Sequence, residues 1–209
     1  MAGWANYPQL EAEVFEPLDR VGVRTVVVEN ERIIARGNGK SYGDAALAHK
    51  LLSTLRLTQV LAFDADNGVV ECEAGILLSD LLKIIVPKGW FFHVTPGIKA
   101  ITVGGAIASD VHGKNHPTAG CFSNYLISFD LMVADGEVKT CSRQENTDLF
   151  WQSCGGMGWT GVILSAKFSL LKITSPMMRQ KNVQVNNLEE LFQTFEENHE
   201  WPYAAGWVD

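Results

Sequence analysis

Arg36-Gly37-Asn38-Gly39-Lys40-Ser41-Tyr42-Gly43-Asp44 and, further along, Thr102-Val103-Gly104-Gly105-Ala106-Ile107-Ala108-Ser109-Asp110 decide the reading of this chain. The first stretch follows Arg32-Ile33-Ile34-Ala35, so it reads as a β-branched strand emptying into a turn with three glycines. Such a turn exposes backbone N–H groups with no side chains in front of them, which is the chemistry of an anion nest. Gly39-Lys40-Ser41 resembles the end of a nucleotide P-loop, but that motif needs a glycine at position 34, where Ile34 sits inside the strand. G-x-G-x-x-G also fails, because its third glycine would fall on Tyr42. The second stretch, preceded by Pro96-Gly97, offers glycines and small residues along which a ligand can approach the backbone closely. An ordinary glycine turn explains the first stretch taken alone. The two together suit a long, flat, phosphate-bearing ligand held between them.

Outward from these loops the chain alternates short strands and helices. Thr25-Val26-Val27-Val28 reads as a strand. Val60-Leu61-Ala62-Phe63 and Val69-Val70-Glu71-Cys72-Glu73 flank Asp64-Ala65-Asp66-Asn67-Gly68, a hairpin signal. Residues 76–86 carry leucines and isoleucines at helical spacing and stop at Pro87 and Gly89. Residues 90–94 read as a short strand, and Ile127, Phe129, Leu131 and Val133 alternate in another that turns at Asp135-Gly136 into residues 137–141. Asn146 or Thr147 caps a short helix to Ser153, Gly155-Gly156-Met157-Gly158 ends it, and residues 161–173 form a long alternating strand. After Ser175-Pro176 come a strand, a helix over 188–199 and a last strand over 203–208. That tail is too short to bury a core of its own and reads as the opening of a second domain.

Length and composition narrow the class. The chain has 209 residues, 46% of them apolar, and a net charge of −7. It is long enough for a sizeable core, and its acidic balance argues against a nucleic-acid binder, which needs a basic face. There is no apolar run of membrane-spanning length and no secretory leader pattern at the start, so a soluble, cytoplasmic protein is expected. The four cysteines, Cys72, Cys121, Cys141 and Cys154, form no C-x-x-C pair and read as free thiols. His112 and His116 have the spacing of two ligands on a helix face, but Gly113 and Pro117 interrupt any helix there, and no metal site is expected.

The two glycine stretches, with Pro96-Gly97, Val111-His112-Gly113-Lys114-Asn115-His116 and Asp130-Leu131-Met132-Val133-Ala134-Asp135-Gly136, resemble the FAD-binding domain of the flavoproteins of the vanillyl-alcohol-oxidase and p-cresol-methylhydroxylase type. Ser-Tyr-Gly-Asp and His-Gly-Lys-Asn-His are most similar to the decaprenylphosphoryl-ribose oxidase branch. The resemblance runs from about Trp4 to Asp209. It implies an α+β fold with a two-lobed FAD-binding domain over 1–175, lobes of about 1–94 and 95–175, and the truncated start of a cap domain over 176–209.

The same resemblance implies the site. Ala35, the loop from Arg36 to Asp44 and Ala45 would wrap the pyrophosphate of FAD. Gly97, Thr102, Val103, Gly104 and Gly105 would line its other side and the ribityl chain. Ser109, Asp110, Val111 and His112 would run toward the flavin ring, and Ile163 would touch the adenine end. Many relatives attach the flavin through a histidine in the first loop; Lys40 stands there and cannot form that link, so non-covalent FAD is expected.

The implied activity is oxidation of a hydroxyl-bearing carbon in a sugar, polyol or lipid-linked sugar, with hydride passing to the flavin. A lipid-linked substrate would place the protein at a membrane surface. Tyr42, His112 and Lys114 are candidate substrate contacts, while the catalytic base is expected beyond Asp209 and this stretch alone is expected to be inactive. The apolar tail helix is expected to favour a homodimer. A P-loop-like nucleotide binder and a non-catalytic flavin-binding or interaction module are the competing readings.

Overall fold

The computed structural model describes residues 1–208. Its strands fall into two main sheets joined by a shared apolar core. Strands β1 (Glu13–Phe15), β2 (Ile34–Arg36) and β3 (Lys50–Ser53) form a small parallel sheet in the order β1-β3-β2. Strands β4 (Val60–Asp64), β5 (Val69–Glu73), β7 (Leu126–Met132), β8 (Val138–Ser142) and β9 (Val162–Ser169) form an antiparallel sheet in the order β4-β5-β9-β7-β8. A two-stranded pair joins β6 (Trp90–Phe91) to β10 (Leu171–Lys172). Strand pairing thus divides the chain between β3 and β4, whereas the sequence placed the lobe boundary at 94/95. The 60–73 hairpin belongs with the later strands because β5 pairs along its whole length with β9.

Residues 25–28, expected as a strand, are instead the last turn of helix α1 (Arg20–Val28). Asp19 caps this helix, its Oδ1 accepting from the Gly22 amide at 2.8 Å. Val23 and Val27, one turn apart, are buried, while Val21 and Val28 face solvent. Burial of that one face overrides the β preference of the valines. The 60–73 hairpin forms as expected, because Asp64 Oδ1 accepts from the Asp66 and Asn67 amides and Gly68 adopts φ +67°. A side chain at Gly68 would run into the ring of Trp90, whose Nε1 donates to Ala65 O at 2.9 Å. Helix α2 (Leu78–Ile85) buries Leu78, Leu81 and Ile85, then gives way to a 3-10 turn through Pro87 that ends at Gly89 in the left-handed region.

Two short helices, α3 (Val103–Ala108) and α4 (His116–Ala119), bracket the His112–His116 stretch. Helix α5 (Thr147–Ser153) starts after Asn146, whose side chain makes no cap bond and whose φ is +46°. The strand expected over 161–173 is broken at Leu170, where the chain leaves the large sheet to pair β10 with β6. In the tail only the helix is formed, as α6 (Leu188–Glu197), capped by Asn187. Neither strand expected around it is present among the described residues, for no other strand lies alongside to take its backbone groups.

Two apolar cores hold these parts. The larger lies on one face of the five-stranded sheet and includes Phe129 and Phe150, whose ring centroids are 5.5 Å apart. The smaller joins the sheets: Val23 and Val27 of α1 pack with Leu52, Leu57, Met132, Val162 and Leu164. Beside it Arg20 donates to Asp130 Oδ2 and Ser165 Oγ, both at 2.7 Å, tying α1 to β7 and β9. Arg20 and Asp130 are both partly exposed, at 43% and 25%. We therefore expect Leu164→Ala to cost about 2–5 kcal/mol in denaturant unfolding, and Arg20→Ala no more than about 1 kcal/mol.

Candidate cofactor site

The first glycine loop leaves β2 at Arg36 and returns to β3. Arg36 anchors it from within: Nη1 donates to Ala46 O at 2.8 Å and Nη2 to Ala2 O. Burial of the guanidinium lowers its pKa, and the cation sits behind a loop suited to an anion. Asn38 spans to the second stretch, its Nδ2 donating to Ala100 O at 2.8 Å. Among the described residues, no backbone amide from Gly37 through Ala45 donates a hydrogen bond to a protein acceptor. A run of unused donors is what a diphosphate requires.

The second stretch is built differently. Thr102 caps α3, with Oγ1 accepting from the Gly105 amide at 3.1 Å. The Val103 amide goes to Ile76 O and the Gly104 amide to Ala74 O. The donors at the start of α3 are therefore spent on the protein. What this stretch gives a ligand is close approach. A Cβ on Gly104 would press on Ala74, whereas one on Gly105 would meet only Thr102 Oγ1, at 3.0 Å. Gly105 is the residue of this pair whose bare Cα fronts open space.

A cleft with ≈ 540 Å³ of atom-free space, its open mouth included, lies between the two stretches. Of the residues singled out from sequence, Ala35, Arg36, Gly37, Ser41, Ala45, Thr102, Gly104, Gly105, Ser109 and Ile163 line it. Others fall elsewhere. Val103 is fully buried in the core. Lys40 reaches back over the Trp4 ring, Tyr42 is 80% exposed, and Gly39 lies against the Arg36 guanidinium. Gly43, Asp44 and Gly97 are not among the lining residues, and Gly43 and Gly97 have nothing within 4 Å of an added Cβ.

Asp110 adopts φ +39° and turns its carboxylate away to Ser123, accepting from N and Oγ at 2.9 Å each. Val111, His112 and Lys114 follow it outside the cleft lining. The His112 and His116 rings lie 5.0 Å apart between centroids, and among the described residues no three His, Cys, Asp or Glu groups converge as metal ligands. All four cysteines are free, and burial pushes the Cys72 and Cys154 thiols up to about 12, so they stay protonated.

Ala108, one of the small residues of the second stretch, also lines the cleft, while sequence reasoning missed Ala46, Thr54, Met157 and Gly158. The last two had a signal, since Gly155-Gly156-Met157-Gly158 is a third glycine segment. It was read only as a helix end. It returns to α3, where the Gly155 amide donates to Ile107 O and the Met157 amide to Ala108 O. A second cleft, shared at Ala35 and Gly158 and bordered by Ile33, Trp159 and Val162, continues from the first.

Comparison with known proteins agrees with this geometry. The family described as "FAD binding domain" matches residues 22–142. Decaprenylphosphoryl-beta-D-ribose oxidase of Mycolicibacterium smegmatis is 33% identical over the whole of this chain and 48% of its own length. L-gulonolactone oxidase of Mus musculus is 30% identical, over 83% of this chain and 42% of its own. Cytokinin dehydrogenase 2 of Arabidopsis thaliana is 29% identical, over 66% and 28%. The chain spans about half the length of the first of these relatives and less of the others. A cleft floored by bare glycine, rimmed by unused amides and matched across most of its residues by that family model places this chain in the FAD-binding domain family of oxidoreductases, with FAD as its cofactor.

Proposed function

We propose that this chain furnishes the FAD-binding part of an oxidoreductase that oxidises a hydroxyl-bearing carbon of a sugar, polyol or lipid-linked sugar. The observation that carries the reading is that Gly37, Ser41 and Ala45, whose amides are unused, line one cleft with the bare face of Gly105. FAD supplies the hydride-accepting ring. The residues of this chain bind and orient it. Amides of the first loop take the diphosphate, Arg36 offsets its charge, and the cleft continuing past Ala35, Ile163 and Trp159 takes the adenine. Neutral amides and one cation suffice for this in a chain of net charge −7.

His112 and Lys114 stand on the exposed segment that leaves α3, and Tyr42 on the exposed tip of the first loop. We assign these three to substrate contact. The relatives' names support the substrate class: one names a lipid-linked sugar, decaprenylphosphoryl-ribose, and another a sugar lactone. No base for the alcohol proton is assigned among the described residues. No described helix is long and apolar enough to cross a membrane. Residues 176–208 are proposed as the start of a cap, and the exposed Leu188 and Phe192 of α6 as a face for a second copy.

Three outcomes test this reading. Anaerobic mixing of the FAD-loaded full-length protein with sugars and polyols should bleach the flavin's visible absorbance. Bleaching by 2-hydroxy acids alone would overturn the substrate class. Because Lys40 occupies the attachment position, acid or heat should release all the FAD, and flavin left on the denatured polypeptide would refute non-covalent binding. Gly105→Val should weaken FAD binding by more than about tenfold while the apo-protein keeps its unfolding midpoint, since the new side chain enters the cleft and not the core. Normal FAD affinity in that variant would show that the cofactor lies elsewhere.

A further inference from the structure

A loop that keeps its amides for a ligand cannot use them to hold its own shape. Among the described residues no amide from Gly37 through Ala45 donates to a protein acceptor, and the first one past the loop that does is Leu47 N, to Asp44 O. The conformation must be fixed from outside, through carbonyls and side chains. One support is Asn38 reaching Ala100. Another is Arg36 holding Ala46 O, and further supports come from the first few residues of the chain.

Those residues form a closed strap, in which Ala2 and Gln9 make an antiparallel bridge and the Leu10 amide donates to Met1 O at 2.9 Å. The strap meets the loop at four points. The Trp4 amide donates to Ser41 O at 2.9 Å. Ala2 O accepts from Arg36 Nη2, whose other arm holds Ala46 at the far end of the loop. Lys40 Nζ stands 5.1 Å from the centroid of the Trp4 ring. Gly3 lies so close that a Cβ there would come within 2.6 Å of Ser41 O and 2.9 Å of Gly43 O. Every contact uses a carbonyl or a side chain of the loop and leaves its amides free.

We propose that Ala2, Gly3 and Trp4 are positioning residues of the cofactor site, which preorganise the diphosphate loop by bracing it on the side away from its free amides. The proposal rests on the FAD reading given above. Without the brace, FAD would have to order the loop on binding, and that entropy would be lost from its affinity.

Titration of the apo-protein with FAD, alongside thermal unfolding of the same apo-protein, tests it. Gly3→Ala should raise the FAD Kd about tenfold, through displacement of the strap and its two hydrogen bonds. Trp4→Ala should raise it by a smaller factor, about threefold, and Trp4→Phe should restore it by returning an aromatic face to Lys40. Both alanine variants should keep the unfolding midpoint of the wild type. Should Gly3→Ala fail to fold, the Trp4 pair decides, because that side chain is half exposed. Unchanged FAD affinity in variants of a wild type that does bind FAD overturns the brace alone. So do midpoints that fall in step with affinity. A wild type that binds no FAD overturns the cofactor reading and the brace together.

Discussion

The small core of Val23, Val27, Leu52, Leu57, Met132, Val162 and Leu164 is the contact on which the rest of the molecule depends. The three-stranded sheet carries the first glycine loop, and the five-stranded sheet carries β9, whose Ile163 lines the cleft. Neither sheet has a site by itself. Their separation is set by seven apolar side chains and one helix, and side chains in a close-packed interior leave little play. The Arg20 bridge to Asp130 and Ser165 adds direction to that contact, though its exposure keeps its energy small.

The two glycine stretches solve different problems with the same residue. In the first, glycine frees donors. In the second the donors are already spent on Thr102, Ala74 and Ile76, and glycine removes bulk. A long ligand with a charged middle needs both, hydrogen bonds where its charge lies and a bare wall where it is flat. The Asn38 bond to Ala100 keeps the two walls in step.

Much of this was legible in the sequence where the signal was local. The Asp64-to-Gly68 turn and the leucine pattern of α2 specify their own structures, and both form. Helix α1 was misread because its valines prefer strands in isolation, and the burial that settles the matter comes from Leu52 and Leu164, far away in the chain. The pairing of residues 69–73 with 165–169 escapes the sequence for the same reason, since nothing near residue 73 announces it. The glycine loops were found because missing side chains are visible in a sequence. Met157 and Gly158 were passed over because a helix end already accounted for their glycines. Asp110 shows a further limit, for its spacing says nothing of a carboxylate turned to Ser123 instead of the cleft.

Strand β9 lies at the centre of the large sheet, between β5 and β7, yet it is the last of the five to be synthesised. The β4–β5 and β7–β8 hairpins are sequence-local and can zip early, but no bond joins them until β9 arrives. The smaller core is equally late, since Val162 and Leu164 belong to the same strand. A ribosome making this chain therefore holds two open hairpins and an unpaired parallel sheet until residue 169 has emerged. Two hairpins and a separate parallel sheet leave six strand edges open, and the cleft lacks Ile163, until that one strand is in place.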